Sequence, residues 1–396
     1  MHKMWVKGPV GADATYRVTR RACRNVLVMV PTMTAGARLM DLVPLLDGDH
    51  RVQTVFTVPH ADEAWQYTAE FVSARGGLSL PWNQARQHTW DLVLAASHRH
   101  IEQVRGKLLI LPHGAGNLMS RRYSRKARGA TRPTTGLDAE LLVYRGRVLP
   151  AVIALTHERE LHALRRSCPE ALPTAVIAGD ICLDRMSASA PYRKQYRAAL
   201  GIGDNDRLVT ISSTWSASST FGCHPDLYNR LLGEGGVVAA AVLHPMIWAV
   251  HGVWQVRSWL APAIARGLRV IRPDAGWQAT MIASDHVIGD HGSTTSYAAA
   301  IGRTVSLAAY PEHDIHKGSI ADRLARHSPR LDMSKPIVPQ LRGGVGRRND
   351  MAKVISSRPG RAASILRTCM YRLLGLPEPS WRPSLCPVPL PSPLWI

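Results

Sequence analysis

The chain has 396 residues, whereas a single hydrophobic core rarely grows beyond about 250–300 residues, so two domains are expected. Hydrophobic residues make up 45% of the sequence and charged residues 20%, which is ordinary for a globular protein. The formal net charge of +20 predicts attraction to a polyanion, namely nucleic acid, anionic lipid, or a phosphorylated substrate or polymer.

Membrane-spanning and secretory segments are not evident in the sequence. No apolar stretch approaches the roughly 20 residues of a transmembrane helix, and the basic start leads only into the short apolar run 26–30. We therefore expect a cytoplasmic protein, with a peripheral position on the inner membrane face as an option. The cysteines form no CxxC pair, which favours reduced structural thiols over a zinc site or disulfides: Cys23, Cys168, Cys182, Cys223, Cys369 and Cys386.

The first half of the chain alternates apolar strand patterns with helical ones. Residues 1–24 are a basic segment with no assigned function, and residues 25–31 (NVLVMVP) have the pattern of a buried strand followed by a helix through residue 46. Further strands are predicted at 52–58, 91–95, 107–111, 152–155 and 174–178. This alternation predicts a parallel sheet covered on both faces, in an N-terminal Rossmann-like domain over residues 25–200. Without GxGxxG, no dinucleotide site is predicted.

The strand predicted at 107–111 runs into PHGAGN (112–117). Loops at the carboxyl ends of parallel strands line the ligand crevice, so His113 is placed where it could act in catalysis, although a structural histidine is the simpler alternative. A basic loop follows. It is either solvated or contacts a phosphorylated acceptor or a membrane surface through Arg121, Arg122, Arg125 and Lys126, with Arg128 and Arg132 nearby.

A second α/β series, residues 201–342, shows polar residues at the end of each predicted strand. Strands are predicted at 207–213, 237–243, 268–271 and 286–289. The polar residues that follow or end these strands are Ser213, Thr214, His244, Arg272 and Asp290. Such a layout is typical of a ligand-binding edge, here in a second Rossmann-like domain.

The stretch 284–307 (SDHVIGDHGSTTSYAAAIGRTVSL) reads as strand, polar turn, helix and strand. The amides of Ser293, Thr294 and Thr295 would then lie at a helix N-terminus, where the macrodipole favours an anion by about 0.3–1 kcal/mol. A phosphate site is one interpretation and an ordinary helix N-cap is the other. Asp290 either orients this turn or binds a ribose.

Residues 343–396 form a basic tail with a predicted helix at 360–374 and a Pro-rich end. Apolar side chains alternate with arginines along this helix, so it could lie on anionic lipid. Packing against the body of the protein is the interpretation we prefer.

Several short motifs occur in the order found in one family. PHGA (112–115) resembles its Trp-His-Gly-Thr motif, and GDICLD (179–184) resembles its Gly-x-Pro-Arg-x-Asp element. STW (213–215) is similar to its Pro-Thr-Trp, GDHGS (289–293) to its Thr-Asp-Tyr-Ser-Ser turn, and His244 to a histidine near the donor phosphates. Over about half of the chain, the sequence thus resembles the CDP-glycerol glycerophosphotransferase family of teichoic-acid and related polymer synthesis.

The resemblance implies an α/β fold of GT-B type, with two Rossmann-like domains facing a cleft, here followed by the helical, Pro-rich extension. It implies an acceptor domain over residues 25–200 and a nucleotide-donor domain over residues 201–342. The donor would be linked to a nucleotide diphosphate and the acceptor would be anionic or lipid-linked, and we expect no metal or other cofactor. His113 is the candidate base, and His244 the second catalytic candidate. The candidate donor-binding residues are Ser213, Thr214, Asp290, His291, Gly292, Ser293, Thr294, Thr295, Arg272 and Arg303.

The chain departs from the family pattern at positions that bear on the donor. Asn117-Leu118-Met119 stands where the family has a lysine, His291-Gly292 replaces Tyr-Ser, and Ile181-Cys182 replaces Pro-Arg. A nucleotide-sugar glycosyltransferase or a UDP-N-acetylglucosamine 2-epimerase-like enzyme therefore remains an alternative. A third hypothesis, a nucleic-acid-binding protein, follows from the charge, but no helix-turn-helix, zinc-finger or RNA-recognition signature supports it.

Overall fold

The computed structural model describes residues 5–11, 14–60, 67–118, 136–341, 348–383 and 385–395. These residues form two compact units. The first comprises the described residues of Met1–Asn117, Thr135–Ile181 and Gly360–Leu385, and the second those of Leu118–Thr134, Cys182–Pro359 and Cys386–Ile396.

Every strand predicted from the sequence is present, together with short ones that were not predicted. The strands are β1 (Arg24–Met29), β2 (Val52–Thr57), β3 (Ser79–Leu80), β4 (Thr89–Ala95), β5 (Arg105–Ile110), β6 (Val143–Tyr144), β7 (Arg147–Val148), β8 (Pro150–Leu155), β9 (Ala175–Ile177), β10 (Leu208–Ser213), β11 (Val238–Leu243), β12 (Arg269–Ile271), β13 (His286–Gly289), β14 (Thr304–Leu307) and β15 (Pro393–Trp395).

Helices connect most of the strands, as expected for parallel sheets. They are α1 (Met33–Leu42), α2 (Thr68–Ser73), α3 (Trp82–Ala85), α4 (Ala139–Leu142), α5 (Glu158–Ser167), α6 (Ile181–Ala188), α7 (Arg193–Ala199), α8 (Thr220–Cys223), α9 (Leu227–Gly233), α10 (Pro245–Ile264), α11 (Trp277–Ala283), α12 (Ser293–Ala300), α13 (Ile320–His327), α14 (Ile337–Gln340), α15 (Arg348–Ile355) and α16 (Ala362–Leu374). Within the described ranges, none of them has both the length and the apolar character needed to cross a bilayer.

The first unit is built on a seven-stranded parallel sheet in the order β3-β2-β1-β4-β5-β8-β9. Alternate residues of its central strands, such as Val26 and Val28, are fully buried in one apolar cluster. Helix α16 packs into the same cluster through Leu366 and Met370, so this helix lies against the body of the protein, as preferred from the sequence. Its Arg367 is buried as well and donates to the Trp381 carbonyl.

The second unit has a six-stranded sheet in the order β14-β13-β10-β11-β12-β15. The pairs among its first five strands are parallel, and only β15 runs antiparallel to its neighbour β12. The core combines strand residues such as Ile211 and Ile288 with Tyr228 of α9 and Trp248 of α10, all at most 1% exposed.

The division between the units differs from the predicted domain limits of 200 and 343. Residues 182–199 belong to the second unit, because Arg193 and Arg197 of α7 bind the Asp285 carboxylate just before β13, at 2.5 and 3.0 Å. The tail predicted as a separate extension is shared between the units, since α16 belongs to the first and β15 to the second. Local sequence patterns do not report such long-range contacts.

The strand β13 begins with a buried histidine that should make stability depend on pH. His286 is 2% exposed with Nε2 2.9 Å from Ser306 Oγ, and burial, followed by the charge of Arg207, lowers its pKa to about 4. In the unfolded chain, the pKa of this histidine is about 6.5. As the pH falls from about 6.5 towards about 4, the unfolded chain binds this proton while the folded protein does not, so the free energy of unfolding decreases.

At about pH 5, we expect the titration of His286 to make the free energy of unfolding about 2 kcal/mol lower than at neutral pH. The measurement is urea unfolding at both pH values, for the wild type and for His286→Gln, which does not titrate. The variant should show a shallower pH dependence, and an equal loss in the two proteins would contradict the assignment.

Candidate functional site

Asp290, the first residue after β13, organises the polar edge of the second unit. Its fully buried carboxylate accepts four hydrogen bonds: Oδ2 from Thr214 N, Thr214 Oγ1 and Thr220 N at 2.9, 2.9 and 3.0 Å, and Oδ1 from Gly292 N at 3.0 Å. These bonds tie the loop after β10 to the turn after β13. Of the two roles considered, Asp290 therefore orients the turn, because its oxygens are occupied within the protein.

The turn leads into α12 as the sequence predicts, with Gly292 at the N-cap and Ser293 as the first helical residue. The first amides of a helix have no partner within the helix, so those of Ser293, Thr294 and Thr295 can serve an anion. The side chains of Ser293 and Thr294 are half-buried, while His291 and Thr295 are buried. Thr295 Oγ1 has no hydrogen-bond partner and lies against Gly289.

Two glycines of the turn are required by close contacts. A Cβ atom at Gly289 would lie 2.3 Å from Thr295 Oγ1, and one at Gly292 would lie 2.6 Å from Thr214 Cγ2. Both distances are well inside van der Waals contact. The departure from the family pattern at Gly292 thus has a local steric reason in this chain.

Replacement of Gly289 by alanine should destabilise the second unit by about 1–3 kcal/mol, because the added methyl group overpacks the contact with Thr295. Chemical denaturation measures the loss. The double variant Gly289→Ala/Thr295→Ala is the matched control, because it removes the opposing Oγ1 and Cγ2 atoms. It should recover at least half of the stability, whereas an additive loss would contradict the steric account.

His244 follows β11 at the same edge and caps α10. Its Nδ1 accepts a hydrogen bond from Met246 N at 3.1 Å. With Nδ1 as the acceptor, the neutral form of the ring has its proton on Nε2. This geometry suits His244 as a hydrogen-bond donor to phosphate rather than as a base.

Two other predicted donor residues, Ser213 and Arg272, make hydrogen bonds within the second unit. Ser213 Oγ accepts from Phe221 N at 2.9 Å and donates to the Thr214 carbonyl, so it supports the loop after β10. Arg272 follows β12 and makes two hydrogen bonds to the Asp274 carboxylate, at 3.0 and 3.1 Å, which raise its pKa.

The prediction that Arg303 binds the donor is corrected by its position in the sheet. Arg303 precedes β14 and donates to the Ser284 carbonyl at 3.2 Å, just before the parallel neighbour β13. Both residues lie at the amino edge of the sheet, opposite Asp290. In a parallel sheet, only residues that follow a strand reach the carboxyl edge.

In the first unit, His113 lies three residues beyond the end of β5. Its Nδ1 lies 3.2 Å from the Ala96 carbonyl, to which it donates, so Nε2 carries the lone pair. Removal of surrounding water lowers the His113 pKa, the bond to Ala96 opposes this change, and the charges of Arg38 and Arg99 lower it further. Because its pKa is lowered, the ring is neutral at neutral pH and able to accept a proton at Nε2.

The sequence reasoning missed an ion pair that supports the His113 loop. Arg38 of α1 contacts Asp180 at 3.2 Å, with side chains 3% and 0% exposed, and Arg38 Nη2 donates to the Gly114 carbonyl at 3.2 Å. His98, after β4, was missed as well. Burial, followed by the charge of His113, lowers the His98 pKa to about 4, so this ring too is neutral. In the sequence, the only indication of the ion pair between Arg38 and Asp180 was a single arginine in the otherwise mostly apolar helix α1.

The other end of the loop is held by Glu160, which is 3% exposed. Its carboxylate accepts from Asn117 N and Nδ2 at 2.6 and 2.7 Å and from Thr156 N at 2.8 Å. Burial raises the pKa of this carboxyl, and the hydrogen bonds oppose the rise. Asn117, which stands near the family's lysine, thus has a structural role here.

Four basic residues were predicted to contact the acceptor or a membrane surface. They lie outside the described residues: Arg121, Arg122, Arg125 and Lys126. Within the part of the chain that the structure describes, no group of three or more histidine, cysteine, aspartate or glutamate side chains is arranged to hold a metal ion.

The two α/β units, each on a mostly parallel sheet, define the GT-B fold, and the predicted fold class is confirmed. The wall teichoic acid polymerase TagF, in a variant form soaked with CDPG, matches 91% of this chain and 92% of its own at 11% identity, with a TM-score of 0.60. The TagF structure without a stated substitution gives 0.58.

A second kind of neighbour is the S. aureus MnaA-UDP co-structure, which matches 88% of this chain and 97% of its own at 12% identity, with a TM-score of 0.51. No protein-family model and no curated protein matches the sequence. At these identities, the structural likeness establishes the fold.

Proposed function

We propose that the chain is a transferase that moves a glycerophosphate or similar polyol-phosphate group from a CDP-linked donor to an acceptor hydroxyl, in cell-wall or surface-polymer synthesis. The observation that carries the proposal is the turn held by Asp290, where the α12 amides and His244 are at one sheet edge. The likeness to TagF, which has been soaked with CDPG, supports this donor class.

On the donor side, the diphosphate accepts hydrogen bonds from the first α12 amides and from His244 Nε2–H. These groups are fixed before the reaction, by Asp290 in the turn and by Met246 N at the ring. Preorganised donors stabilise the charge that develops on the leaving nucleotide, and no reorganisation is needed during the step.

On the acceptor side, His113 Nε2 accepts the proton of the attacking hydroxyl. The acceptor oxygen forms a bond to the phosphorus of the polyol phosphate, and the bond from that phosphorus to the bridging diphosphate oxygen breaks. CMP leaves with the negative charge, so atoms and charge balance. A neutral imidazole suits this role at neutral pH.

The acceptor is proposed to be anionic or lipid-linked, because the chain carries a net charge of +20. A cytoplasmic chain that works at the inner membrane face is consistent with that acceptor.

The second candidate is a nucleotide-sugar glycosyltransferase or epimerase-like enzyme. The MnaA-UDP co-structure favours it, since the same fold there accompanies a uridine nucleotide. The departures at His291 and Gly292 from the family pattern also leave the nucleotide open. Nucleic-acid binding is a further outcome that the same experiment tests.

A thermal-shift screen of CDP, UDP and GDP derivatives tests the proposal. A ligand that binds only the native state at 100 times its Kd adds about 2.7 kcal/mol of stability, so CDP derivatives should raise Tm most. His244→Gln should weaken the shift, whereas Arg303→Gln, at the opposite sheet edge, is the matched control and should not. Stabilisation by UDP derivatives alone supports the second candidate, and stabilisation only by nucleic acid would refute both.

A further inference from the structure

Helix α10 carries an exposed apolar surface that the proposed reaction does not use. Its members are Val250, Val253, Trp254 and Trp259, which are 64%, 37%, 77% and 46% exposed. We call this surface the α10 apolar face. Soluble proteins seldom leave such large side chains together in water, so the face is a candidate interaction surface.

The backbone of α10 explains why these side chains point outward. The helix is interrupted at Gly252, where φ is 77° and ψ is 156°. Beyond this kink, Val256, Leu260 and Ala263 are buried in the core of the second unit, which leaves Trp254 on the opposite side of the helix.

Ring contacts hold the two halves of α10 together. The His251 ring, before the kink, lies 4.9 Å from the Trp259 ring, and Phe221 of α8 lies 5.9 Å from the same tryptophan. Trp259 of the α10 apolar face is therefore braced against its neighbours. A braced surface loses little conformational entropy when it binds.

The charged residues of α10 itself and of the segment that follows it have one sign. Residues 245–273 contain no aspartate or glutamate, whereas Arg257 and Arg266 are exposed on and just beyond α10. Arg257 lies 5.7 Å over the Trp395 ring, which places its charge beside the helix. Tryptophan and valine with flanking arginines and no acidic residue are typical of a helix that lies in the interface of an anionic membrane.

The composition distinguishes a membrane from other partners. The tryptophans could stack on bases, but two arginines neutralise few phosphates, which disfavours nucleic acid. Tryptophan, in contrast, is enriched at the level of lipid headgroups, where its apolar body and its N–H group are both satisfied.

We infer that the α10 apolar face docks on an anionic lipid surface, with Trp254 inserted at headgroup level and the arginines against lipid phosphates. The inference rests on this surface alone. Its test uses no nucleotide, so it can fail while the proposed transferase activity stands, and the reverse also holds.

Flotation with vesicles of phosphatidylglycerol and phosphatidylcholine, compared with phosphatidylcholine alone, tests the inference on the full chain. The wild type should bind the anionic vesicles. Trp254→Ala should lower the vesicle partition coefficient about tenfold, and Trp254→Glu should lower it further, because it adds a charge that the lipid repels. Unchanged Tm values show that the variants are folded.

Tyr144→Glu is the matched control. Tyr144 is an aromatic residue of the first unit, 43% exposed and adjacent to the exposed Arg145 and Arg147, so it offers similar chemistry elsewhere. Its substitution should leave vesicle binding unchanged.

Three outcomes would overturn the inference. In the first, the wild type does not bind anionic vesicles. In the second, Trp254→Glu binds them as well as the wild type does. In the third, the Trp254 variants abolish self-association, measured by sedimentation, while vesicle binding is absent, which would assign the face to a second copy of the chain.

Discussion

Replacement of His113 by alanine should lower kcat by about 10²–10⁴-fold, the usual contribution of a general base. The bond from Nδ1 to Ala96 leaves Nε2 as the atom that accepts the acceptor proton, and alanine cannot supply it. Nucleotide release with the donor found by the thermal-shift screen measures the effect. Tm and the nucleotide-induced shift should not change, because the donor-binding groups belong to the second unit.

His162→Ala is the matched control for this prediction, since His162 is exposed on α5 of the same unit. It should keep wild-type kcat. The lowered pKa of His113 adds a second expectation: kcat/KM should decline only below about pH 6.5, where Nε2 becomes protonated. Wild-type turnover by His113→Ala would contradict the assignment of the base.

Replacement of Asp290 by asparagine should abolish nucleotide-induced stabilisation and lower the unfolding free energy by about 3 kcal/mol. One acceptor oxygen becomes an amide group, which faces the N–H donors of Thr214, Thr220 or Gly292 and leaves them unsatisfied. Urea unfolding and calorimetric titration with the nucleotide measure the two effects.

Asp274→Asn serves as the control for Asp290→Asn. Asp274 pairs with Arg272 near the surface, where an ion pair contributes about 0–1 kcal/mol, so the variant should remain close to the wild type. If Asp290→Asn bound nucleotide with unchanged affinity, the turn would not be the donor site.

The strands were predictable because buried parallel strands form continuous apolar runs, as in β10 and β11. The strand β15 was not, because it lies in a Pro-rich segment and exists only through its pairing with β12. The position of α7 depends likewise on the bonds of Arg193 and Arg197 to Asp285, which local pattern does not reveal.

Residues of the candidate site were predictable where they lie in the loop that directly follows a predicted strand. His113 and the turn at Asp290 each follow a strand, so position in the pattern places them at a carboxyl edge. The partners that fix them come from far along the chain: Arg38 and Asp180 are 142 residues apart, and Asn117 and Glu160 are 43 apart. Arg303 was misplaced because proximity to the turn in sequence was taken as proximity in the sheet.

The identity of the released nucleotide tests the central claim most directly. With the CDP-linked polyol donor and an acceptor hydroxyl, phosphorus NMR should show CMP and a new phosphodiester, because the bond that breaks is within the diphosphate. Release of CDP without a new phosphodiester would show that the bond between the polyol carbon and the diphosphate breaks instead, and would contradict the proposed phosphotransfer.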